Sequence, residues 1–219
     1  MYPIPIEQLI KAFTRFPSVG RRTAERFVFY LLKSGKKDAA DLGNALQNLI
    51  KNIESCKECW DFSDTSPCAI CTNPKRDQST ICVVAEPQDM RAIERTGNYH
   101  GLYHILRGTI NPEAKQLAAG LKIAELMARV KQNQHTNNKA LVEKSATVDA
   151  SPVKPNLEVI LALNPDLRGE TTAMFLEKKL RSEIPELSIS RLARGLPMGS
   201  DLQYADEITL SSALKYRTK

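Results

Sequence analysis

Apolar residues in the first 55 positions recur with the spacing of α-helices. The predicted helices are EQLIKAFTRF, TAERFVFYLLKSG and DAADLGNALQNLIKNIES. Asp38 is the predicted N-cap of the third helix, with Asp41 in its first turn. Apolar residues three or four positions apart give this helix one apolar face, which consists of Leu42, Leu46, Leu49, Ile50 and Ile53.

From Thr80 onwards the pattern changes to short apolar runs that are separated by amphipathic stretches. The predicted strands are TICVVA, GLYHIL, LEVILAL and LSISRLA. The predicted helices between and after them are PQDMRAIERTG, LKIAELMARV, GETTAMFLEKKLRSEI and DEITLSSALKYR. Continuous apolar strands alternating with helices predict an α/β fold with a parallel or mostly parallel sheet. In such sheets, functional residues lie at the carboxyl ends of the strands.

Two segments lack this patterning. The stretch CKECWDFSDTSPCAIC, residues 56–71, is rich in Ser, Thr, Asp and Pro and contains few residues to bury. Residues 131–156, KQNQHTNNKALVEKSATVDASPVKPN, are polar and carry two prolines near their end. This second composition predicts a long mobile loop between a helix and the next strand.

The composition limits the class of protein. A chain of 219 residues can form one large domain or two smaller ones. The sequence has no apolar run of about 18 residues, so no membrane-spanning helix is expected. The N-terminus, MYPIPIEQLIKAF, lacks the basic and then apolar pattern of a signal peptide, so the expected location is the cytoplasm.

The net charge of +6 is concentrated near the N-terminus. Residues 1–55 contain nine Lys/Arg and five Asp/Glu, which leaves +4 there and +2 over the remainder. A basic N-terminal quarter is consistent with a polyanionic partner such as nucleic acid. An excess of basic residues also occurs as a solvated face without a partner, so charge alone leaves both interpretations open.

Four of the five cysteines form the pattern C-x2-C-x8-C-x2-C, at Cys56, Cys59, Cys68 and Cys71. Paired thiolates at this spacing suit tetrahedral Zn²⁺, and a closed shell of four ligands indicates a structural site with one ion per chain. Disulfides are the alternative, which a reducing cytoplasm disfavours, and an iron–sulfur cluster uses the same ligands. Cys82 lies in the apolar run TICVVA and is interpreted as a core residue.

The segment FPSVGRRTAERF, residues 16–27, lies between two predicted helices. A turn with Pro and Gly that leads into a helix exposes backbone N–H groups able to hold a phosphate. Arg21, Arg22 and Arg26 add cationic side chains nearby. The segment resembles a helix-hairpin-helix with the usual core Leu-Pro-Gly-Val-Gly, in which Phe16 replaces Leu and Ser18 replaces the first Gly. An ordinary joint between two helices is the alternative.

Acidic residues follow two predicted strands. Glu86 and Asp89 come after TICVVA, and Asp166 and Glu170 come after LEVILAL together with Asn164. Carboxylates at strand ends could hold Mg²⁺, but Asp89 and Glu170 also fit the roles of helix caps. The sequence has neither a G-x-x-x-x-G-K-[ST] loop nor a G-x-G-x-x-G turn, and His100 and His104 are interpreted as structural.

The order of these features resembles the bacterial RecR family of recombination mediator proteins, over nearly the whole chain. The most specific stretches are RDQSTICVVAEPQDMRAIERTGNYHGLYHIL (76–106), LNPDLRGETTA (163–173) and ISRLARGLPMGSDLQYADEITLSSAL (189–214). The resemblance implies the following modules: a helix-hairpin-helix domain at 1–55, a four-cysteine zinc finger at 56–71, a Toprim α/β domain at 80–195, and a C-terminal segment with a helix and a Walker-B-like region at 196–219.

The resemblance also implies an assembly and partners. Members of the family form ring-shaped tetramers that clamp DNA, bind RecO and RecF, and help to load RecA onto single strands coated by single-strand-binding protein. The family's basic hairpin residues, a Lys and an Arg four positions apart, fall on Arg22 and Arg26, and Arg21 is the next candidate for DNA contact.

The chain departs from the family pattern in several places. Where the family has C-V-V-E, this chain has Cys82-Val83-Val84-Ala85, and the acidic residue, Glu86, comes one position later. A shift by one residue at the end of a strand changes the direction in which the carboxylate points. The Asp-x-Asp of Toprim enzymes reads Asn164-Pro165-Asp166, although RecR proteins generally carry Asn-Pro there too. PEAKQLAAG, residues 112–120, replaces a Gly-rich loop, and the 131–156 segment is longer than usual.

The expected function is therefore non-enzymatic: a clamp that binds DNA without sequence preference and acts with RecO, and with RecF as a further candidate, to promote RecA loading. The expected docking surface for RecO is the acidic Toprim face formed by Glu86, Asp89, Asp166 and Glu170. The main alternative is a metal-dependent Toprim nuclease or topoisomerase-like enzyme, for which Tyr103 and Tyr204 remain open as nucleophiles. A weaker alternative is a zinc-stabilised adaptor that does not touch DNA.

Overall fold

The structure is a computed structural model, and it describes residues 2–113, 118–144, 157–193, 195–196, 199 and 201–217. The chain divides into two compact units, Met1–Ile53 and Glu54–Lys219. No helix in the described part of the chain is long and apolar enough to cross a membrane.

The first unit is helical, as the sequence predicts. It contains α1 (Ile4–Phe13), α2 (Arg21–Ser34) and α3 (Lys36–Asn52). Helices α1 and α2 pack around a small core of Ile10, Ala24 and Val28, with Phe13 and Val19 against it. The rings of Phe13 and Phe27 form a T-shaped pair with 5.7 Å between their centroids, which adds an aromatic contact between the same two helices.

The prediction for the start of α3 is wrong. Asp38 is not the N-cap, because the helix begins at Lys36 and Asp38 lies in its first turn. Gly35 adopts φ = 105°, a left-handed conformation that glycine reaches without strain, so the chain turns from α2 into α3 within one residue. The helix also ends earlier than predicted, at Asn52, because Ile53 is extended and leads into a strand.

The apolar face of α3 is exposed. None of the residues of this helix is buried, and Ile50 retains 82% of its accessible surface. Leu42, Leu46 and Leu49 are exposed on the same helix. An apolar stripe of this size normally packs against another element, so α3 presents an unpartnered apolar surface within the described chain.

The second unit begins with the cysteine-rich segment. It forms a two-stranded antiparallel ribbon, β1 (Glu54–Ser55) and β2 (Phe62–Ser63), and a short helix, α4 (Ala69–Thr72). The Cys56 N–H donates to the Asp61 carbonyl at 2.8 Å, which closes the ribbon into a tight loop.

The rest of the second unit is an α/β fold. Its parallel sheet is formed by β3 (Asp77–Val84), β4 (Gly101–Ile105), β5 (Glu158–Leu161) and β6 (Ser188–Arg191), in the order β4-β3-β5-β6. In register, Ile81 lies between Leu102 and Val159. The helices are α5 (Pro87–Glu94), α6 (Ile123–Lys144), α7 (Leu167–Glu183) and, after a 3-10 helix at Leu202–Tyr204, α8 (Glu207–Lys215). The predicted parallel sheet is confirmed.

The side chains of β3 alternate between two hydrophobic cores, one on each face of the sheet. Ile81 and Val83 belong to the larger cluster, which includes residues of α6 and α7. Cys82 and Val84 belong to the smaller cluster, with Met90 of α5. Both faces of the strand are therefore covered, which accounts for its continuous apolar sequence. Cys82 is a buried core residue, as predicted.

The predicted loop at 131–156 is wrong for its first half, because α6 continues to Lys144. This stretch contains no Gly or Pro, and its Gln, Lys and Glu residues favour helix, so its low apolar content does not indicate a loop. The remainder, 145–156, lies outside the described residues, as do 114–117 of the altered segment PEAKQLAAG.

The first turn of α7 lies very close to the end of β5. A Cβ atom added at Gly169 would lie 2.0 Å from the Asn164 carbonyl oxygen, so only glycine fits there. The Gly169 N–H in turn donates to Asp166 Oδ1 at 2.7 Å. Glycine at this position therefore sets how closely the helix approaches the strand-end loop.

We expect Gly169→Ala to lower the free energy of unfolding by about 1–3 kcal/mol, because the backbone must move to admit the methyl group. Gly43→Ala is the matched control, because Gly43 lies in α3 and a Cβ atom added there meets no neighbouring atom within 4 Å outside its own helix backbone. This substitution should raise the free energy of unfolding by about 0.5–1 kcal/mol. Urea unfolding followed by circular dichroism measures both. Equal stability of Gly169→Ala and the unmodified chain would contradict the close approach.

Candidate metal centre and nucleic-acid interface

The four paired cysteines are positioned by two turns. Cys56 and Cys59 belong to a turn that the Trp60 N–H closes onto the Cys56 carbonyl at 2.9 Å. Cys68 is the N-cap of α4, and the Thr72 N–H donates to its carbonyl at 3.0 Å, which places Cys71 within the helical turn. The Cys68 N–H donates to Cys56 Sγ at 3.3 Å and joins the two turns.

The four sulfur atoms converge on one point. They all lie within 4.8 Å of one another, with 3.6 Å from Cys59 to Cys68 and 4.0 Å from Cys56 to Cys71. Four ligands at a Zn–S distance of about 2.3 Å would be separated by about 3.8 Å, so the sulfur positions fit a tetrahedral ion. All four cysteines are free thiols, and three are buried. The cluster could therefore bind a metal ion, and the disulfide alternative does not describe this structure.

The thiols influence one another strongly. The Cys68 side chain, then that of Cys71 and then burial raise the pKa of the Cys59 thiol. The Cys59 and Cys71 side chains in turn lower the pKa of Cys68, because they stabilise its thiolate. Deprotonation of all four thiols would concentrate negative charge in a buried space, and a bound cation is what would stabilise that charge.

The cysteine module is joined to the α/β sheet by groups that lie far along the chain. The Ile105 N–H of β4 donates to the Cys59 carbonyl at 2.8 Å. Arg107 donates to the Trp60 carbonyl at 2.6 Å and to Ser55 Oγ at 3.0 Å. Arg91 of α5 forms an ion pair with the buried Asp61 at 2.9 Å. These groups were not predicted, because no local pattern in the sequence reveals contacts over such separations.

The hairpin between α1 and α2 has the geometry of its predicted type. Ser18 adopts φ = 62°, which accounts for the glycine that usually occupies this position. The Val19 N–H donates to the Phe16 carbonyl at 3.2 Å, and Gly20 is the N-cap of α2. No side chain in the described part of the chain caps α2, so the first N–H groups of this helix can donate hydrogen bonds to a phosphate.

The structure separates the three hairpin arginines into two groups. Arg21 forms ion pairs with Glu7 at 2.8 Å and with Glu25 at 3.1 Å, and the hydrogen bond to Glu7 raises the pKa of Arg21. Arg22 and Arg26 are exposed, and neither has an ion pair with any carboxylate among the described residues. Four positions apart on α2, they lie on one helix face with uncompensated charge.

The four acidic residues expected on the Toprim face all lie at helix starts. Glu86 is the N-cap of α5 and forms a capping box with Asp89, whose carboxylate accepts from the Glu86 N–H at 3.0 Å. Asp166 is the N-cap of α7. Glu170 lies in the first turn of α7 and forms an ion pair with Arg191 at 3.2 Å. The sequence leaves open that Asp89 and Glu170 cap helices. The structure contains Asp89 in a capping box at the start of α5. At the start of α7, however, the cap is Asp166 and not Glu170.

These carboxylates do not converge as metal ligands. Within the described ranges, the cysteines are the one group of three or more His, Cys, Asp or Glu ligand atoms close enough to share an ion. Asp89 and Glu170 instead line a cavity of about 430 Å³ at the carboxyl end of the sheet, together with Asn164 and Arg191.

The histidine and tyrosine candidates differ in accessibility. His104 is fully buried, with Nε2 at 2.8 Å from the Lys122 carbonyl oxygen, and burial lowers its pKa to about 4. It is therefore neutral at pH 7, and its burial is consistent with the structural interpretation. Tyr103 is buried too, and burial raises its pKa, so its hydroxyl is a poor nucleophile. Tyr204 is exposed.

Comparisons with known proteins agree with these features. Family models match three segments: "RecR, helix-hairpin-helix" at residues 6–50, "Toprim domain" at 79–193 and "RecR, C-terminal" at 195–218. The chain is 39% identical over 217 residues to the "Recombination protein RecR" of Clostridium perfringens, with 99% of this chain and 98% of that protein covered. It is 42% identical over 216 residues to that of Bifidobacterium longum, with coverage of 99% and 96%.

A third relative, the "Recombination protein RecR" of Herpetosiphon aurantiacus, is 41% identical over 216 residues, which cover 98% of this chain and 94% of that protein. The matches run over nearly the full length of every chain compared and include the hairpin, the sheet and the C-terminal helix. The chain therefore belongs to the RecR family of recombination proteins.

Proposed function

We propose that the protein is a recombination and repair mediator that grips the DNA backbone without reading its sequence. The observation that supports this most directly is the pair Arg22 and Arg26, exposed and without carboxylate partners among the described residues, beside the uncapped N-terminus of α2. Phosphate contacts of this kind position a protein on DNA but carry no sequence information. Arg21 contributes less, because Glu7 and Glu25 already balance its charge.

A single hairpin offers few phosphate contacts, so the proposal includes several copies. A ring of four chains, as the family resemblance implies, would display several hairpins on one DNA and raise the overall affinity by multivalency. The exposed apolar face of α3 supports self-association, because a second copy would remove Leu46, Leu49 and Ile50 from water.

The proposed partner is RecO, with RecF as a further candidate, and the proposed outcome is the loading of RecA onto single strands coated by single-strand-binding protein. Exposed Glu86 and Asp166 mark the acidic Toprim face, and Asp89 and Glu170 line the cavity beside it. Glu86 and Asp166 cap helices but remain exposed, so their carboxylates can meet a basic partner, whereas Glu170 is already paired with Arg191. The proposed location is the cytoplasm, at the nucleoid.

The proposed cofactor is one Zn²⁺ per chain, held by Cys56, Cys59, Cys68 and Cys71. Four sulfur ligands complete the tetrahedron, so the ion would have no open position for a substrate and would serve folding alone. Its binding would stabilise a segment whose own apolar core is limited to the cysteines and Ile70.

The alternative of a Toprim nuclease or topoisomerase-like enzyme is less well supported. Asn164 stands where such enzymes carry an acid, and the nearby Asp89 and Asp166 serve as helix caps. Incubation of labelled DNA with the protein and Mg²⁺ or Mn²⁺ discriminates, because cleavage products would favour the enzyme.

We expect the double variant Arg22→Ala/Arg26→Ala to weaken DNA binding and to flatten its salt dependence, by about 0.7–0.9 in the log–log slope for each phosphate that an arginine no longer neutralises. Fluorescence anisotropy with a labelled oligonucleotide across salt concentrations measures both effects. Arg21→Ala is the matched control and should have a smaller effect, because its charge is balanced. A double variant with unchanged affinity and slope would refute the assignment.

We expect the Cys68→Ser variant to bind no metal. We also expect its free energy of unfolding to fall by more than about 3 kcal/mol. This is a fraction of the binding free energy of structural zinc in small peptides, which is about 10–16 kcal/mol. Elemental analysis measures the metal content, and chemical unfolding measures the stability. Cys82→Ala removes a cysteine outside the cluster and should keep one equivalent of zinc. A Cys68→Ser protein that is folded and free of metal would show that the centre is dispensable.

We expect Ile50→Glu to dissociate the assembly, because a carboxylate placed in an apolar interface must be desolvated. Asn48→Glu, at another exposed position of α3, is the control for added charge. Native mass spectrometry should find four copies for the unmodified chain and for Asn48→Glu, and fewer for Ile50→Glu. Retention of the tetramer by Ile50→Glu would exclude this face as an interface.

A further inference from the structure

Arg129 is an arginine in an unusual environment. It lies on α6, the residue retains 7% of its accessible surface, and its guanidinium has two partners. Nη1 donates to the Tyr103 carbonyl of β4 at 2.5 Å, and Nη2 lies 3.9 Å from Cys71 Sγ. Buried arginines are normally paired with a carboxylate, because removing their charge from water is costly. Arg129 has no such ion pair with any residue that the structure describes.

The cysteine cluster can supply the missing negative charge. Metal binding requires deprotonated thiols, so a divalent ion with four thiolates has a net charge of −2. A dianion in a mostly buried site carries its own desolvation cost. A guanidinium in contact with one of the sulfur atoms reduces that cost, and its own burial cost falls for the same reason.

We infer that Arg129 is a positioning residue of the metal centre, whose guanidinium stabilises the metal-bound thiolate of Cys71 and holds it against β4. This inference rests on the proposed occupancy of the four cysteines by a metal ion. It concerns a residue that lies 58 positions from Cys71 in the chain and outside the C-x2-C pattern.

The other cations around the cysteine module have different partners. Arg107 donates to a main-chain carbonyl and a serine hydroxyl. Lys122 lies over the Trp60 ring at 3.9 Å from its centroid and pairs with Glu125 at 2.9 Å. In the part of the chain that the structure describes, Arg129 is thus the cationic residue whose N–H group contacts a cysteine sulfur atom. A purely structural role, through the Tyr103 carbonyl alone, is the competing explanation.

The test uses the full-length protein loaded with Co²⁺ or Zn²⁺ and compares Arg129→Met, Arg129→Gln and Arg129→Lys. Competition against a chromophoric chelator gives metal affinity, and the sulfur-to-cobalt charge-transfer bands report the electron density on the thiolates. We expect Arg129→Met and Arg129→Gln to bind metal about 10–100-fold more weakly, as for other groups that contact metal ligands. We also expect their charge-transfer bands to shift in energy, and Arg129→Lys to restore both properties in large part.

Arg107→Met is the matched control, because it loosens the same module without removing a contact to sulfur. It should lower stability more than it changes the cobalt spectrum. Unchanged metal affinity and an unchanged spectrum in Arg129→Met, with stability alone reduced, would overturn the inference and leave a structural role.

Two further outcomes are distinguishable. If the unmodified chain binds no stoichiometric metal, the proposed zinc centre itself fails, and the inference fails with it. If no Arg129 variant folds even in excess metal, the inference is also overturned. Excess metal compensates by mass action for a defect that is confined to metal affinity.

Discussion

The convergence of four sulfur atoms within 4.8 Å brings together the two turns of the cysteine-rich segment with which the second unit begins. The segment from Glu54 to Thr72 has two-residue strands and a four-residue helix, too little regular structure to persist alone. The cluster closes this segment on itself, and hydrogen bonds from Ile105 and Arg107 then attach it to the sheet. The first residues of the second unit are thereby fixed to β4, an edge strand of the sheet.

The hairpin illustrates how charge can serve two purposes within one short segment. The side chain of Arg21 forms ion pairs with Glu7 of α1 and Glu25 of α2 and so connects the two helices. Because these two carboxylates balance its positive charge, Arg21 attracts an anionic ligand less strongly. The next residue, Arg22, is exposed to solvent and lies on one face of α2 with Arg26. Exposed ion pairs contribute little to stability, so the main effect of the Arg21 contacts is to select which arginines remain available.

Local patterns in the sequence predict much of this structure. The C-x2-C pairs, the hairpin and the apolar strands depend on residues close together in the chain, and the structure contains each of them. Two local predictions are wrong because another local preference of the chain prevails at these positions. The left-handed Gly35 moves the start of α3 away from Asp38, and helix-forming polar residues extend α6 to Lys144.

The remaining features depend on partners that lie far apart in the sequence. The contact between Arg107 and Trp60 spans 47 positions, and that between Arg129 and Cys71 spans 58. The ion pairs of Arg21 also become visible only once α1 and α2 are packed. Sequence patterns therefore predict the cysteine cluster and the basic hairpin, whereas the partners that balance each charge depend on the packing of distant segments.

Trp60 combines several of these contacts at one residue. The sequence contains a single tryptophan, and it follows directly after Cys59, with Lys122 over its ring and Arg107 on its carbonyl. Indole emission depends on nearby charge and on exposure to water, so the tryptophan fluorescence of the protein comes from a point adjacent to the cysteine cluster. The molecule thus contains its own optical reporter of the state of the cysteine module, and no label is required to observe it.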